Sequence, residues 1–150
     1  MSFIAETEKH EVVIGAPNDK FTNGKWQDQS DLMIDKWQEY AKKYYDKTGI
    51  YISAIVNEGL AIYNEDWGCP DGGERTLTFN CTRNPKFIED KYEYQRGIHY
   101  IVANLKKEFK QHTITITSMY AGTGIKYITD EDNDKLENII KKFKEEESNE

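Results

Sequence analysis

The stretch YNEDWGCPDGGERTLTFNC, residues 63–81, gathers four acids, an arginine, a tryptophan and two cysteines into nineteen residues. Trp67 falls in a turn-rich loop, where an indole offers its face to a planar group. Arg75 and Arg83 flank the strand that follows at the same parity, and a guanidinium there suits a carboxylate or phosphate. With Asp66 and Glu74 beside them, these five residues make up the expected binding surface. Its ligand would be a small anionic or nucleotide-like molecule, or a protein partner. Alternatively, Trp67 folds inward to close one end of the core and the arginines pair with Glu65, Asp66 or Glu89.

Other chemistries fit less well. Zinc sites use close pairs such as C-x2-C, whereas Cys69 and Cys81 are twelve apart and His10, His99 and His112 are scattered over three elements, so no metal and no cofactor is expected. Cys69 stands among Glu65, Asp66, Asp71 and Glu74, whose charges oppose thiolate formation, and Cys81 occupies an inward strand position. Both are expected as free thiols. The segment QHTITIT invites comparison with two-histidine phosphoesterases, but strand parity puts Ile114, not Thr113, on the face of His112. PDGGERT runs into a strand rather than a helix, so its glycines suit a positive-φ turn better than a phosphate loop. No complete catalytic constellation emerges.

The elements that must position these residues are legible. VVI at 12–14, ended by Gly15 and Pro17, reads as a buried strand over 11–15, and the polar, Pro-, Asn- and Gly-rich segment after it reads as a loop. Met33, Trp37, Tyr40, Ala41 and Tyr44 fall at helical spacing between Ser30 and Gly49, predicting a helix over 30–47. IYISAIV alternates as a strand over 50–56, and LAIY continues it past a turn or bulge at NEG. RTLTFNCTR alternates cleanly over 76–83, with Leu77, Phe79 and Cys81 on one side. Tyr94, Ile98, Ile101, Val102, Leu105 and Phe109 form one stripe of a helix over 90–110. A strand over 113–120, a shorter one at GIKYIT, and a third helix opening at Thr129 and carrying Leu136, Ile139, Ile140 and Phe143 complete the chain.

The order is β-α-β-β-α-β, a single α+β domain over 1–150 of ferredoxin-like type. Both helices lie on one face of an antiparallel sheet, a terminal strand and helix are appended, and residues 1–9 and 145–150 are expected to be flexible. The opposite face would present Tyr51, Ser53, Ile55, Thr76, Thr78, Asn80, Thr113, Thr115 and Thr117, among which Tyr51 and Ile55 suit a second sheet. A homodimer is therefore expected.

With 27 acids against 20 bases, a net charge of −7 and no basic run, the chain lacks the clustered cations that a polymeric nucleic acid requires. It has no run of 18 apolar residues and no secretory leader, so neither a membrane partner nor secretion is expected, and the location read from the sequence is cytoplasmic. The functional expectation is a non-enzymatic binding protein, a phage or bacterial accessory factor that sequesters a nucleotide-like ligand or blocks a host protein. One alternative is a hydrolase or phosphodiesterase using His112 or His99. The other is an acidic inhibitor that docks on a basic partner through Asp130, Glu131, Asp132, Asp134 and Glu145 to Glu147.

Overall fold

The computed structural model describes residues 4–17, 20–27, 29–111, 114–121, 124–130, 138 and 140–145. Strand β1 (Glu8–Gly15) alternates so that Glu8, His10, Val12 and Ile14 are buried. It lies in the middle of a five-stranded antiparallel sheet of order β4-β5-β1-β6-β7, formed with β4 (Ile55–Ala61), β5 (Glu74–Thr82), β6 (Ile114–Tyr120) and β7 (Gly124–Asp130). Without the appended β7 this is the ferredoxin-like order expected from the sequence. Register puts Val12 opposite Phe79 and Ile116, and Ile14 opposite Leu77 and Ile114, so three strands build one apolar surface.

Two helices cover that surface. In α1 (Gln29–Thr48), Met33, Trp37, Ala41 and Tyr44 are buried along one stripe. In α2 (Lys91–Glu108), Tyr94, Ile98, Ile101, Val102 and Leu105 do the same, and the Asp90 carboxylate caps the helix by accepting from the Tyr92 and Glu93 amides at 3.0 and 3.1 Å. The Trp37 ring stacks on Phe79 at 4.4 Å, and both stripes join the inward sheet residues in one core, so the helices share a face. Gly97 lies at their closest approach, where an added Cβ would stand 2.6 Å from the Tyr44 ring. Phe143, from the helical residues 140–145, packs on Tyr44 and Tyr100. Among the described residues no helix is long and apolar enough to cross a membrane.

Five expectations need correction. The strand read over 50–56 starts only at Ile55, because Ile52 sinks into the core and gives its carbonyl to Trp37 Nε1 at 3.2 Å rather than to a neighbouring strand. From there β4 pairs with β5 without interruption through Asn57, Glu58 and Gly59, so NEG is neither turn nor bulge. The segment read as a loop after Pro17 contains a small hairpin, β2 (Lys20–Thr22) with β3 (Lys25–Gln27), turning at Asn23 and Gly24, whose φ angles of 55° and 77° mark the Asn-Gly turn. Glu8 and Lys9 belong to β1 rather than to a flexible end. Thr129 pairs with Thr115 inside β7 instead of opening the third helix, and residues 131–137 lie outside the described residues.

Candidate functional site

The hairpin between β4 and β5 carries the candidate site. Ala61 pairs with Glu74, and the twelve residues between them form a built excursion. The Asn64 side chain accepts from the Asp66 amide at 3.0 Å and starts a 3-10 turn over Glu65–Trp67. Gly68, at φ 100°, ends that turn by donating its N–H to the Glu65 carbonyl. Gly72 and Gly73, at φ 83° and 90°, then steer the chain back into the sheet, as expected for the GG pair. The excursion leaves Trp67 76% exposed, which excludes the core plug. Cys69 is half-buried, whereas Cys81 is fully buried and its thiol is pushed up to about 12 by burial.

At the neck of the hairpin, the Tyr63 hydroxyl donates to Glu74 Oε2 at 3.0 Å. That hydrogen bond is the main cause raising the Tyr63 phenol above its ordinary value, so the hydroxyl stays protonated and remains a donor. Glu74 lies over Gly15 at the end of β1. An added Cβ at Gly15 would meet Glu74 Oε1 at 3.2 Å and Gln111 Oε1 at 2.8 Å. The bare glycine is thus the floor of a notch that the Glu74 carboxylate and the Gln111 amide fill. Alternation puts Glu74 and Gly15 on the sheet face turned away from the helices, continuous with Thr76, Thr78 and Val13, and the Gln111 side chain reaches the same spot.

Among the residues expected to bind, Glu74 joins this notch, and Trp67 and Asp66 lie on the excursion above it in sequence. Arg75 points to the other face of β5, where its Nη2 lies 3.4 Å from Ser30 Oγ in the first turn of α1. Arg83 is placed differently. It is 8% exposed, donates from Nε to Glu8 Oε1 at 2.6 Å and from Nη1 to the Ile88 carbonyl at 2.6 Å, and takes neither Glu65 nor Asp66 as its partner. Eight residues of extended strand separate it from Arg75, about 26 Å, so the two arginines cannot grip one small ligand.

Tyr63, Gln111 and Gly15 were not singled out by sequence reasoning. Tyr63 lies two positions beyond the Ala61–Glu74 pair, a relation visible only once the register is known. Gln111 follows α2 through Lys110, whose φ of 53° turns the chain, and its amide donates to the Lys106 carbonyl at 3.0 Å. His10, read as one of several scattered soft ligands, is buried and shares a 2.6 Å hydrogen bond with Ser118 Oγ. His99 is half-buried on α2, and His112 lies outside the described residues. Among the described residues no three His, Cys, Asp or Glu side chains gather into a metal-holding group.

A concavity of about 260 Å³ opens between α1 and the 51–56 segment, lined by Trp37, Phe79 and Tyr51 with Gln38 and Ser53. It offers apolar area and no ionic group.

The family of SAM lyase matches residues 5–123 of the chain, which include every residue of the notch. Two solved structures share the fold. One is a phage SAM lyase in complex with S-methyl-5'-thioadenosine, 13% identical with a TM-score of 0.50, the match covering 88% of this chain and 96% of that one. The other is a phage SAM lyase in the apo state, 15% identical with a TM-score of 0.51, over 87% and 96% of the two chains. No curated protein matches the chain.

Proposed function

The chain belongs to the SAM lyase family, and from that premise we propose that it cleaves S-adenosylmethionine and releases S-methyl-5'-thioadenosine. The matching family over residues 5–123 carries the reading, and the Tyr63–Glu74 pair supports it.

In S-adenosylmethionine the sulfur is a sulfonium, a leaving group already activated. When the bond from sulfur to Cγ breaks, its electron pair returns to sulfur and a neutral thioether leaves. The substrate's own carboxylate oxygen supplies the new pair to Cγ and closes a five-membered lactone. Water is not consumed and no proton must move. Such a reaction asks the protein to hold the carboxylate in line behind Cγ, a matter of orientation rather than of an acid–base pair.

This accounts for the false lead in the sequence. A non-enzymatic binder was expected because no catalytic constellation could be assembled, but a substrate that carries both its nucleophile and its leaving group requires none. S-adenosylmethionine is nucleotide-like, as expected, but not anionic. S-adenosylmethionine bears an ammonium and a sulfonium against one carboxylate, so Glu74, with Glu65 and Asp66 on the excursion, opposes it with the right sign. Trp67, exposed on the same excursion, offers a face for the adenine or the sulfonium.

Other sequence expectations fit within this proposal. The substrate is an intracellular metabolite, which agrees with a cytoplasmic location in a phage-infected cell. A second copy of the chain suits the outer sheet face, where Ile55 is 71% and Met119 41% exposed, and light scattering reads that oligomeric state. The activity itself is tested by incubating the purified protein with S-adenosylmethionine and following the products by chromatography and proton NMR. Stoichiometric S-methyl-5'-thioadenosine and homoserine lactone are expected. An unchanged substrate pool would overturn the proposal.

A further inference from the structure

We propose that the segment carrying Ile140 and Phe143 is a strap across the seam between α1 and α2, one that opens and closes without unfolding the rest of the domain. The Phe143 ring lies 4.2 Å from the Tyr100 ring on α2 and 5.5 Å from the Tyr44 ring on α1, so one side chain bridges both helices. The Lys47 ammonium stands 5.1 Å over the same ring. Tyr44 and Tyr100 are themselves 5.8 Å apart, and Tyr44 packs where Gly97 lets the helices approach. Phe143 therefore covers aromatic surface that belongs to the helix pair rather than to the sheet.

Among the described residues of the segment only two side chains anchor it. Ile140 and Phe143, three apart and so on one helical face, are buried, whereas Asn138, Lys141, Lys142, Lys144 and Glu145 are exposed. Burying two apolar side chains gains free energy of the same order as the cost of ordering a short run of backbone. Closing is then nearly balanced, and the strap opens as a local unit. The main core does not depend on it, since Val12, Phe79, Trp37 and Ile98 are buried between the sheet and the two helices. The family match also ends at residue 123, so the strap lies outside the part of the chain on which the lyase reading rests.

Hydrogen exchange on the intact protein, with melting of three variants alongside, tests this. The amides of residues 140–145 should exchange at least about tenfold faster than those of α1 and α2 around Tyr44 and Tyr100. Phe143→Ala and a chain ending at residue 137 should each lower the melting temperature by about 3–8 °C, and by the same amount, because either change leaves the strap open. Adding Ile140→Ala to Phe143→Ala should then cost nothing further, since an open strap has no second anchor to lose. Lys142→Ala, at an exposed position, should melt as the wild type does. Amides of the segment protected as strongly as those of the helices would overturn the proposal, because the segment would then open only with the whole domain. So would a chain ending at 137 that fails to fold, which would make the segment part of the main core. A chain ending at 137 that melts unchanged would show that the strap is not closed in solution. These readouts do not involve S-adenosylmethionine, so they stand or fall apart from the lyase activity.

Discussion

Arg83 Nε and Glu8 Oε1 meet at 2.6 Å in a buried ion pair, at the opposite end of β5 from Glu74. The guanidinium also ties the loop after β5 by donating to the Ile88 carbonyl. Removing one partner would strand the other charge away from water. Arg83→Met is therefore expected to cost about 3–5 kcal/mol of folding stability, with ligand affinity unchanged per folded molecule. Urea denaturation alongside calorimetric titration checks this. A stable Arg83→Met protein with weakened binding would return Arg83 to the ligand site.

Tyr63 and Glu74 should show the converse. Both are exposed, so Glu74→Gln and Tyr63→Phe are expected to leave the urea midpoint nearly unmoved, within about 0.5 kcal/mol. Glu74→Gln removes the charge that opposes the ammonium and should lower kcat/KM by about 1.5–3 kcal/mol, whereas Tyr63→Phe removes a single hydrogen bond worth about 0.5–1.5 kcal/mol. If Tyr63→Phe were as harmful as Glu74→Gln, the hydroxyl would be contacting substrate itself.

Trp67, 76% exposed, has little core to lose. Trp67→Ala should weaken binding of S-methyl-5'-thioadenosine by about 1–3 kcal/mol, as for a stacked base, while Trp67→Phe retains most of it. Fluorescence quenching of the native protein by added thioadenosine gives a direct readout. Full affinity in Trp67→Ala would move the nucleoside elsewhere, with the Trp37–Phe79 concavity next in order.

His10 supplies a pH dependence. Burial lowers its imidazole below the ordinary 6.5, outweighing the nearby Glu8 carboxylate, which raises it. Between the folded value and 6.5 the unfolded chain binds the extra proton, so stability is full above about 6.5 and falls as the pH drops through that window, at no more than about 1.4 kcal/mol per pH unit. The Tyr94 and Tyr120 rings and Cys81 also stand near this ring, and burial raises Cys81 and Tyr94 away from that window. The difference in urea stability between wild type and His10→Gln, measured from pH 7.5 to 5, should shrink toward acid. A constant difference would mean that His10 does not titrate.

Periodicity alone was enough for the helices and for β5. Met33, Trp37, Ala41 and Tyr44 recur at the pitch of a helix because one side of α1 must leave water, and Leu77, Phe79 and Cys81 recur at the pitch of a strand for the same reason. The β-α-β-β-α-β order follows from those elements in sequence, and Gly72-Gly73 marked the return turn because positive φ is a local property. The alternation at 50–56 misled where apolar residues were buried without a strand. Burial demands an apolar side chain, but only the register of the partner decides whether the backbone is paired, and the carbonyl of Ile52 found Trp37 instead.

The site divides in the same way. Residue type and loop chemistry pointed to Glu74, Asp66 and Trp67 because charge and aromaticity are carried by single residues. Arg83 carried the same signal, but it is buried against Glu8, 75 residues away. Tyr63, Gly15 and Gln111 carried no local signal at all. The pairing of β4 with β5, of β5 with β1, and the turn out of α2 bring a phenol, a missing side chain and an amide to one point on the sheet. Such a meeting is set by register and chain reversal, which depend on contacts between residues far apart in sequence, so tertiary structure alone could decide it.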